Sequence, residues 1–458
     1  MQVGNVQKLI AIFSHAFKSL GVDVSLEKLE DLAVTIHRAM TVQTRHFHTL
    51  AHVFNFVDPS DPIRSLAALY HDIVYYQVDM GFAPEVWRII SSYVEQRYGD
   101  FFIAETIPND DRIAALTMDI FTMKPGQKLS SLEALNEFLS ALVMNKQLGD
   151  ILPEKDLMLM TLCVEATIPF RGTDQNGRSH FDALEDVLRR VAQKYDFALT
   201  EDEIVRAIKM AVNFANKDIE NFAESDPARF LDNTWKLLPE TNAALRLPDV
   251  YSIGMYRLAL QRMAGFFNRL EPEAIFHQYH GTPPNEEYQY FTQMARKNIE
   301  IAREYLKIKI LNHSILEALA LATGGDAPLS LFMGDIPRDG TNIKRLEYYL
   351  PEYEKKPWVD QDSLIYQLLQ SGRTGEISFD MRNSPLTLFV YCNLPPDRLE
   401  YHSARSKLMF EGKLSPHDYL MEFPQAVIGP IARACAIMVY TRRAALLQYA
   451  GDSQSLEE

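Results

Sequence analysis

Cysteine is nearly missing from this chain. Cys163, Cys392 and Cys435 are its only three, far apart and without paired spacing. Neither a disulfide framework nor a zinc–thiolate centre is indicated, and the usage fits a reducing compartment. Basic charge is short as well: 46 Lys and Arg face 61 Asp and Glu, a net charge of −15, which argues against a general nucleic-acid or anionic-membrane surface. Long apolar runs are also lacking. Met1 to Leu20 carries Lys8, His15 and Lys18 inside a helical pattern, unlike the apolar centre of a signal peptide. The most membrane-like stretch, Ala426 to Leu447, is broken by Arg433, Arg442 and Arg443 and reads as a packed helix. A cytoplasmic protein without a membrane partner is expected. Period-two alternation is scarce, with Glu376 to Asp380 the one candidate strand.

Helical periodicity fills the space these absences leave. Leu9, Ile10, Phe13, Phe17 and Leu20 mark one amphipathic helix, and Leu26, Leu29, Leu32, Ala33, Ile36 and Met40 a second. Further patterns run over 84–98, 109–123, 131–145, 153–168, 181–195, 202–223 and 285–322, and Ser384-Pro385 reads as an N-cap with proline at the first helical position. The fold class expected is all-α. At 458 residues the chain exceeds what one core usually holds. Gly324-Gly325, followed by Pro328, Gly334, Pro337 and Gly340, is the strongest break. It predicts a catalytic helical domain over 1–324, a smaller helical domain over 325–450 and a polar tail over 451–458.

Four polar residues stand out against this background. His48 and His52 are four apart, a spacing that places both on one face of a helix. His71-Asp72 follows the apolar run Leu66 to Tyr70, which carries the pair inward. A buried carboxylate beside a histidine is costly unless something positive compensates it, and a divalent cation is the simplest compensation.

The ordered set Phe47-His48…His52, then His71-Asp72, then a distant acidic residue resembles the HD-domain superfamily of metal-dependent phosphohydrolases. Within it, Phe47-His48 to His52 is similar to the aromatic-His-x3-His signature of class I cyclic-nucleotide phosphodiesterases. Val164 to Phe170 is a fainter echo of their Ala-Thr-Asp segment. The resemblance, over residues 30 to 225, implies an HD-type helical bundle. It implies that His52, His71 and Asp72 are metal ligands and that His48 is the acid protonating the leaving oxygen. The last ligand it implies is a carboxylate on a later helix. Asp218 is the favoured reading of that position, because a carboxylate is the better ligand for a hard cation; Asn216, directly after Ala215, is the alternative and is otherwise a candidate to support the ligands or bind substrate. The cofactor expected is a divalent metal (Mn, Fe, Zn or Mg) and the substrate a small phosphoester, with cyclic and other nucleotides as candidates. A non-catalytic HD-fold sensor or interaction module is the alternative.

The remaining candidates carry two readings each. His46 either supports the metal ligands from behind or is an exposed neighbour. Glu165 is a buried carboxylate or a partner of the site, and Arg171 binds a substrate phosphate or ends a helix. His277, His280, Glu286 and Glu287 cluster in sequence, but Pro283 and Pro284 make that stretch a loop. Beyond Gly325 only His402 and His417 occur, without paired spacing. The C-terminal helices are therefore expected to cap the catalytic domain or to mediate homo-oligomerisation.

Overall fold

Residues three and four apart that share apolar character set the local structure almost throughout. The computed structural model describes residues 4–107, 111–130, 134–247, 250–336, 343–352, 356–375 and 377–451. Among them the chain forms 21 α-helices, five short 3-10 helices and one three-stranded antiparallel sheet, the all-α class expected. Two compact units emerge, each made of two chain segments: residues 1–223 with 271–296, and residues 224–270 with 297–458.

In the first unit the order is α1 (Asn5–Ser19), α2 (Leu26–Met40), α3 (Leu50–Phe56), α4 (Pro62–Tyr70), α5 (Tyr76–Asp79) and α6 (Pro84–Ile90). Strands β1 (Val94–Arg97) and β2 (Asp100–Ile103), helix α7 (Arg112–Ile120) and strand β3 (Lys128–Leu129) come next. Helices α8 (Leu135–Leu148), α9 (Glu154–Ala166), α10 (His180–Lys194) and α11 (Glu201–Asp218) complete it. Helix α9 is buried along most of its length, from Leu157 to Ala166, and packs against α4, α8 and α11. It is the central post against which the site-bearing helices α4 and α11 are fixed.

The stretch expected as a helix over 84–98 divides. Its helix stops at Ile90, and a hairpin pairs Val94 with Ile103 and Arg97 with Asp100. The turn residues Tyr98 and Gly99 both have positive φ (54° and 88°), the geometry of a two-residue hairpin turn.

The second unit holds α12 (Pro227–Thr241) and α13 (Ile253–Arg269). Helix α14 (Asn285–Thr323) begins in the first unit and continues into the second. Seven more follow: α15 (Leu329–Met333), α16 (Leu364–Ser371), α17 (Pro385–Asn393), α18 (Pro396–Phe410), α19 (Pro416–Met421), α20 (Gln425–Met438) and α21 (Arg443–Leu447). This division differs from the expected 1–324 and 325–450. Gly324-Gly325 ends α14, yet both sides of the break belong to one unit: Ile253 N–H donates to the Ala327 carbonyl, and Arg442 Nη1 donates to the Ala320 and Gly325 carbonyls at 2.9 and 2.7 Å. Of the expected tail only Gly451 lies within the described residues.

The candidate strand at Glu376 to Asp380 is a tight turn closed by one bridge between Ile377 and Asp380; Glu376 lies outside the described residues. The Asp380 carboxylate explains the turn, because it is drawn inward by Lys309 Nζ at 2.7 Å and Trp235 Nε1 at 2.9 Å. Ser384 does occupy the N-cap of α17, but its hydroxyl serves Lys309 Nζ and Tyr305 (both 3.2 Å) rather than the helix end.

Helix α11 starts at a full capping box, in which Thr200 Oγ1 accepts from the Glu203 N–H and the Glu203 carboxylate accepts from the Thr200 N–H. Thr200→Ala should lower stability by about 1 kcal/mol while Thr200→Ser leaves it nearly unchanged, as measured by urea unfolding.

Candidate metal centre

Three elements converge on one half-buried point. Helix α4 opens at Asp61, whose carboxylate caps the Arg64 N–H, with Pro62 at the first helical position. Its residues Ile63 and Leu66 to Tyr70 are all buried, so its end is pulled into the core, and His71, at the C-cap, is 2% exposed. His71 and Asp72 therefore sit on the turn that ends α4 rather than within the helix. The His71 Nδ1–H donates to the Ala68 carbonyl at 2.8 Å, which turns Nε2 towards the cluster. His52 is the third residue of α3, while Asp218 is the last residue of α11.

The ligand atoms of His52, His71, Asp72 and Asp218 all lie within 4.8 Å of one another. Asp218 Oδ1 stands 3.1 Å from His52 Nε2 and 3.4 Å from His71 Nε2; Asp72 Oδ2 stands 3.2 Å from His71 Nε2 and 3.7 Å from His52 Nε2. His71 Nε2 and Asp72 Oδ2 are buried yet make no hydrogen bond. Polar atoms deep in a protein are rarely left so.

The electrostatics describe a site deficient in positive charge. Burial opposes protonation of His71, but the neighbouring Asp72 and Asp218 carboxylates raise its pKa well above the usual imidazole value. Burial likewise works against ionised Asp72, and the adjoining His71 and His48 hold it far below the ordinary carboxylate range. Asp218 is burdened by burial too, and its hydrogen bond with His52 and the close approach of His71 pull it down to about 2. Two carboxylates and two imidazoles, with one nitrogen and one oxygen lacking hydrogen bonds, form a donor set that could hold a divalent ion. The mixture suits Mn, Fe or Zn, and the carboxylates also admit Mg. Aromatic rings wall the group: Phe56 lies 4.9 Å from His71 and 4.3 Å from Phe214, centroid to centroid, and Phe47 lies 5.2 Å from His52.

His48 departs from the expected geometry. It precedes the N-cap Thr49 in a bend, so His48 and His52 do not share a helical face. The two rings are nevertheless 6.0 Å apart, and His48 meets the Tyr75 ring edge-on at 4.5 Å. His46, in the same bend, is half-buried and outside the group of four.

Asn216 and Asp218 separate cleanly. Asn216 Nδ2 donates to the His277 carbonyl at 2.8 Å, and its Oδ1 accepts the His277 N–H at 2.9 Å. Its amide is thus used in both directions to fasten the 275–282 loop to α11, and the reading of Asn216 as the last ligand falls. Of the histidines in that loop, His277 is pushed down to about 4 by burial and by the nearby charges of His180 and Arg171, and His280 stacks on Tyr279.

Glu165 and Arg171 are joined, with Arg171 Nη1 at 2.7 Å from the Glu165 carboxylate and Arg171 Nη2 at 2.9 Å from the Glu165 carbonyl. His180, at the start of α10, donates to the same carboxylate at 2.9 Å. Sequence reasoning missed His180. It also missed Glu137 on α8, which burial, together with the Asp72 and Asp218 charges, pushes up to about 7. The signal available was only a carboxylate inside the apolar stretch Leu135 to Val143. A cavity of about 320 Å³ beside α11, bordered by Arg64, Asn213, Asn216, Lys217 and Glu220, contains none of the four converging groups.

No family model, curated protein or solved structure matches the chain.

Two outcomes follow from this geometry. Asn216→Asp should destabilise the fold by about 1–3 kcal/mol, because a carboxylate cannot donate to the His277 carbonyl, and should leave Mn²⁺ affinity unchanged. Asp218→Asn should weaken Mn²⁺ binding sharply; calorimetric titration separates the two. The second outcome concerns pH. The Asp72 and Asp218 carboxylates favour the protonated form of His71, so a cation bound at Nε2 should displace a proton and binding should release protons. Apparent affinity should then fall by about tenfold per pH unit on acidification while one proton is displaced. Titration in buffers of different ionisation enthalpy reads that proton directly.

Proposed function

We propose that the chain is a metal-dependent phosphohydrolase of the HD type acting on a small phosphoester, with a nucleotide as one candidate. The observation that carries this reading is the convergence of His52, His71, Asp72 and Asp218, two of whose polar atoms are buried without hydrogen bonds. The resemblance of the His48…His52 and His71-Asp72 elements to HD phosphohydrolases supports it.

A divalent cation held by these four side chains would supply Lewis acidity towards a phosphoryl oxygen and would acidify a water molecule. The protein contributes the rest. His71 is aimed by its bond to the Ala68 carbonyl, and the aromatic rings of Phe47, Phe56 and Phe214 limit water around the ligands. His48, whose ring lies 6.0 Å from that of His52 and outside the group of four, is the side chain we assign to give a proton to the departing oxygen. Its ring is set by the Tyr75 edge. Glu137, with its proton held to about pH 7, is a second group able to exchange protons at neutral pH.

The test is turnover of a phosphoester panel, including cyclic nucleotides, nucleotides and p-nitrophenyl phosphate, with Mn²⁺, Mg²⁺ or Co²⁺. His71→Ala and Asp72→Ala should abolish both metal uptake and turnover. His48→Ala should keep the metal and lose about 10²–10⁴-fold in kcat, with less loss for p-nitrophenolate, which leaves without protonation. A protein that takes up metal yet turns over no phosphoester would point to a non-catalytic HD-fold sensor or interaction module. Release of metal by His48→Ala would reverse the roles of acid and ligand.

A further inference from the structure

Arg45 uses all three of its guanidinium nitrogens. Its side chain is fully buried, and its fork is spent on four separate stretches of chain. Nε and Nη2 grip the two oxygens of Asp79 at 2.7 and 2.6 Å. Nη1 donates to the Asp72 carbonyl at 2.7 Å, lies 2.8 Å from the Met40 sulfur and reaches the His48 carbonyl at 3.4 Å. Nη2 also reaches the Ile73 carbonyl at 3.5 Å. Asp79, the last residue of α5, thus neutralises a guanidinium whose remaining donors point at the backbone of His48 and of Asp72.

These two backbones share a weakness. His48 lies in a bend before α3, and Asp72 lies in the turn after α4, so neither is held by a helical hydrogen-bond ladder. Something else must hold the stretch leading into His52 against the stretch carrying His71 and Asp72. A buried charge is itself costly unless paired and fully bonded. That cost is met here between the two stretches, where the guanidinium reaches the carbonyls of both.

We propose that Arg45 and Asp79 form a positioning clamp for the metal centre: the planar guanidinium fixes the His48 and Asp72 backbones relative to each other, so that metal affinity depends on a pair that touches neither metal nor substrate. The inference rests on the proposed metal centre. Lysine cannot replace arginine in this role, because one ammonium cannot span both Asp79 oxygens and the Asp72 carbonyl in one plane.

The experiment is calorimetric titration of the full chain with Mn²⁺, paired with thermal unfolding of the metal-free protein. Wild type should bind. Arg45→Lys, which keeps the charge, should bind about 10–100-fold more weakly, the range seen when the supports of metal ligands are removed. Asp79→Asn, a milder change that spares the bonds to the carbonyls, should show a smaller loss in the same direction. The double variant Arg45→Met with Asp79→Leu removes both charges together, which limits the folding penalty, and should also bind weakly. Ser179→Ala, which removes the cap of α10, is the control: it should lower the unfolding midpoint and leave Mn²⁺ affinity alone. Wild-type affinity in Arg45→Lys or in the double variant would overturn the clamp while leaving the metal centre standing. An equal loss of affinity in Ser179→Ala would overturn it too, by tracing the effect to general instability. Absence of Mn²⁺ binding in wild type would overturn the metal centre and the clamp together.

Discussion

Two half-buried carboxylates, Asp72 and Asp218, share two histidines within a few ångströms, and much of the first unit is arranged to keep them there. Carboxylates in such surroundings repel each other and resist desolvation. The metal-free protein meets the deficit with protons: His71 is driven towards its cationic form by its two neighbours. A divalent cation held there would supply the positive charge in place of the proton and would satisfy the atoms that hydrogen bonds leave out. The electrostatic strain and the unmade bonds at His71 Nε2 and Asp72 Oδ2 are thus two expressions of one unmet requirement.

The fold answers that requirement with long-range packing. Helix α9, buried along most of its length, fixes α4 and α11, whose C-terminal ends deliver His71, Asp72 and Asp218. The capping box at Thr200 sets where α11 starts, and the Asn216–His277 tie secures the helix two residues from its end. Where the chain leaves helical structure, at His48 and at Asp72, the Arg45 guanidinium reaches the backbone carbonyls.

Much of this was legible in the sequence because it depended on periodicity. The apolar spacing of Leu9 to Leu20 and Leu26 to Met40 announced α1 and α2, and the run before His71 announced the burial of that histidine. The convergence of Asp218 with a pair nearly 150 residues earlier was expected only through a family resemblance, since spacing says nothing about tertiary approach. Three features stayed hidden for physical reasons. The hairpin at Val94 to Ile103 is four residues per strand, too short for alternation to outweigh the helical pattern around it. The discontinuous units arise from backbone bonds such as Ile253 to Ala327, which no local signal encodes. Arg45, Glu137 and His180 act through partners distant in sequence, so each looks alone like an ordinary polar residue.

Anomalous diffraction from crystals grown with Mn²⁺ tests the central claim most directly. The account predicts one strong peak at the manganese edge, enclosed by His52 Nε2, His71 Nε2, Asp72 Oδ2 and Asp218 Oδ1 at distances of about 2.0–2.3 Å, as for other imidazole and carboxylate ligands. A peak elsewhere, or none between these four atoms, would contradict it.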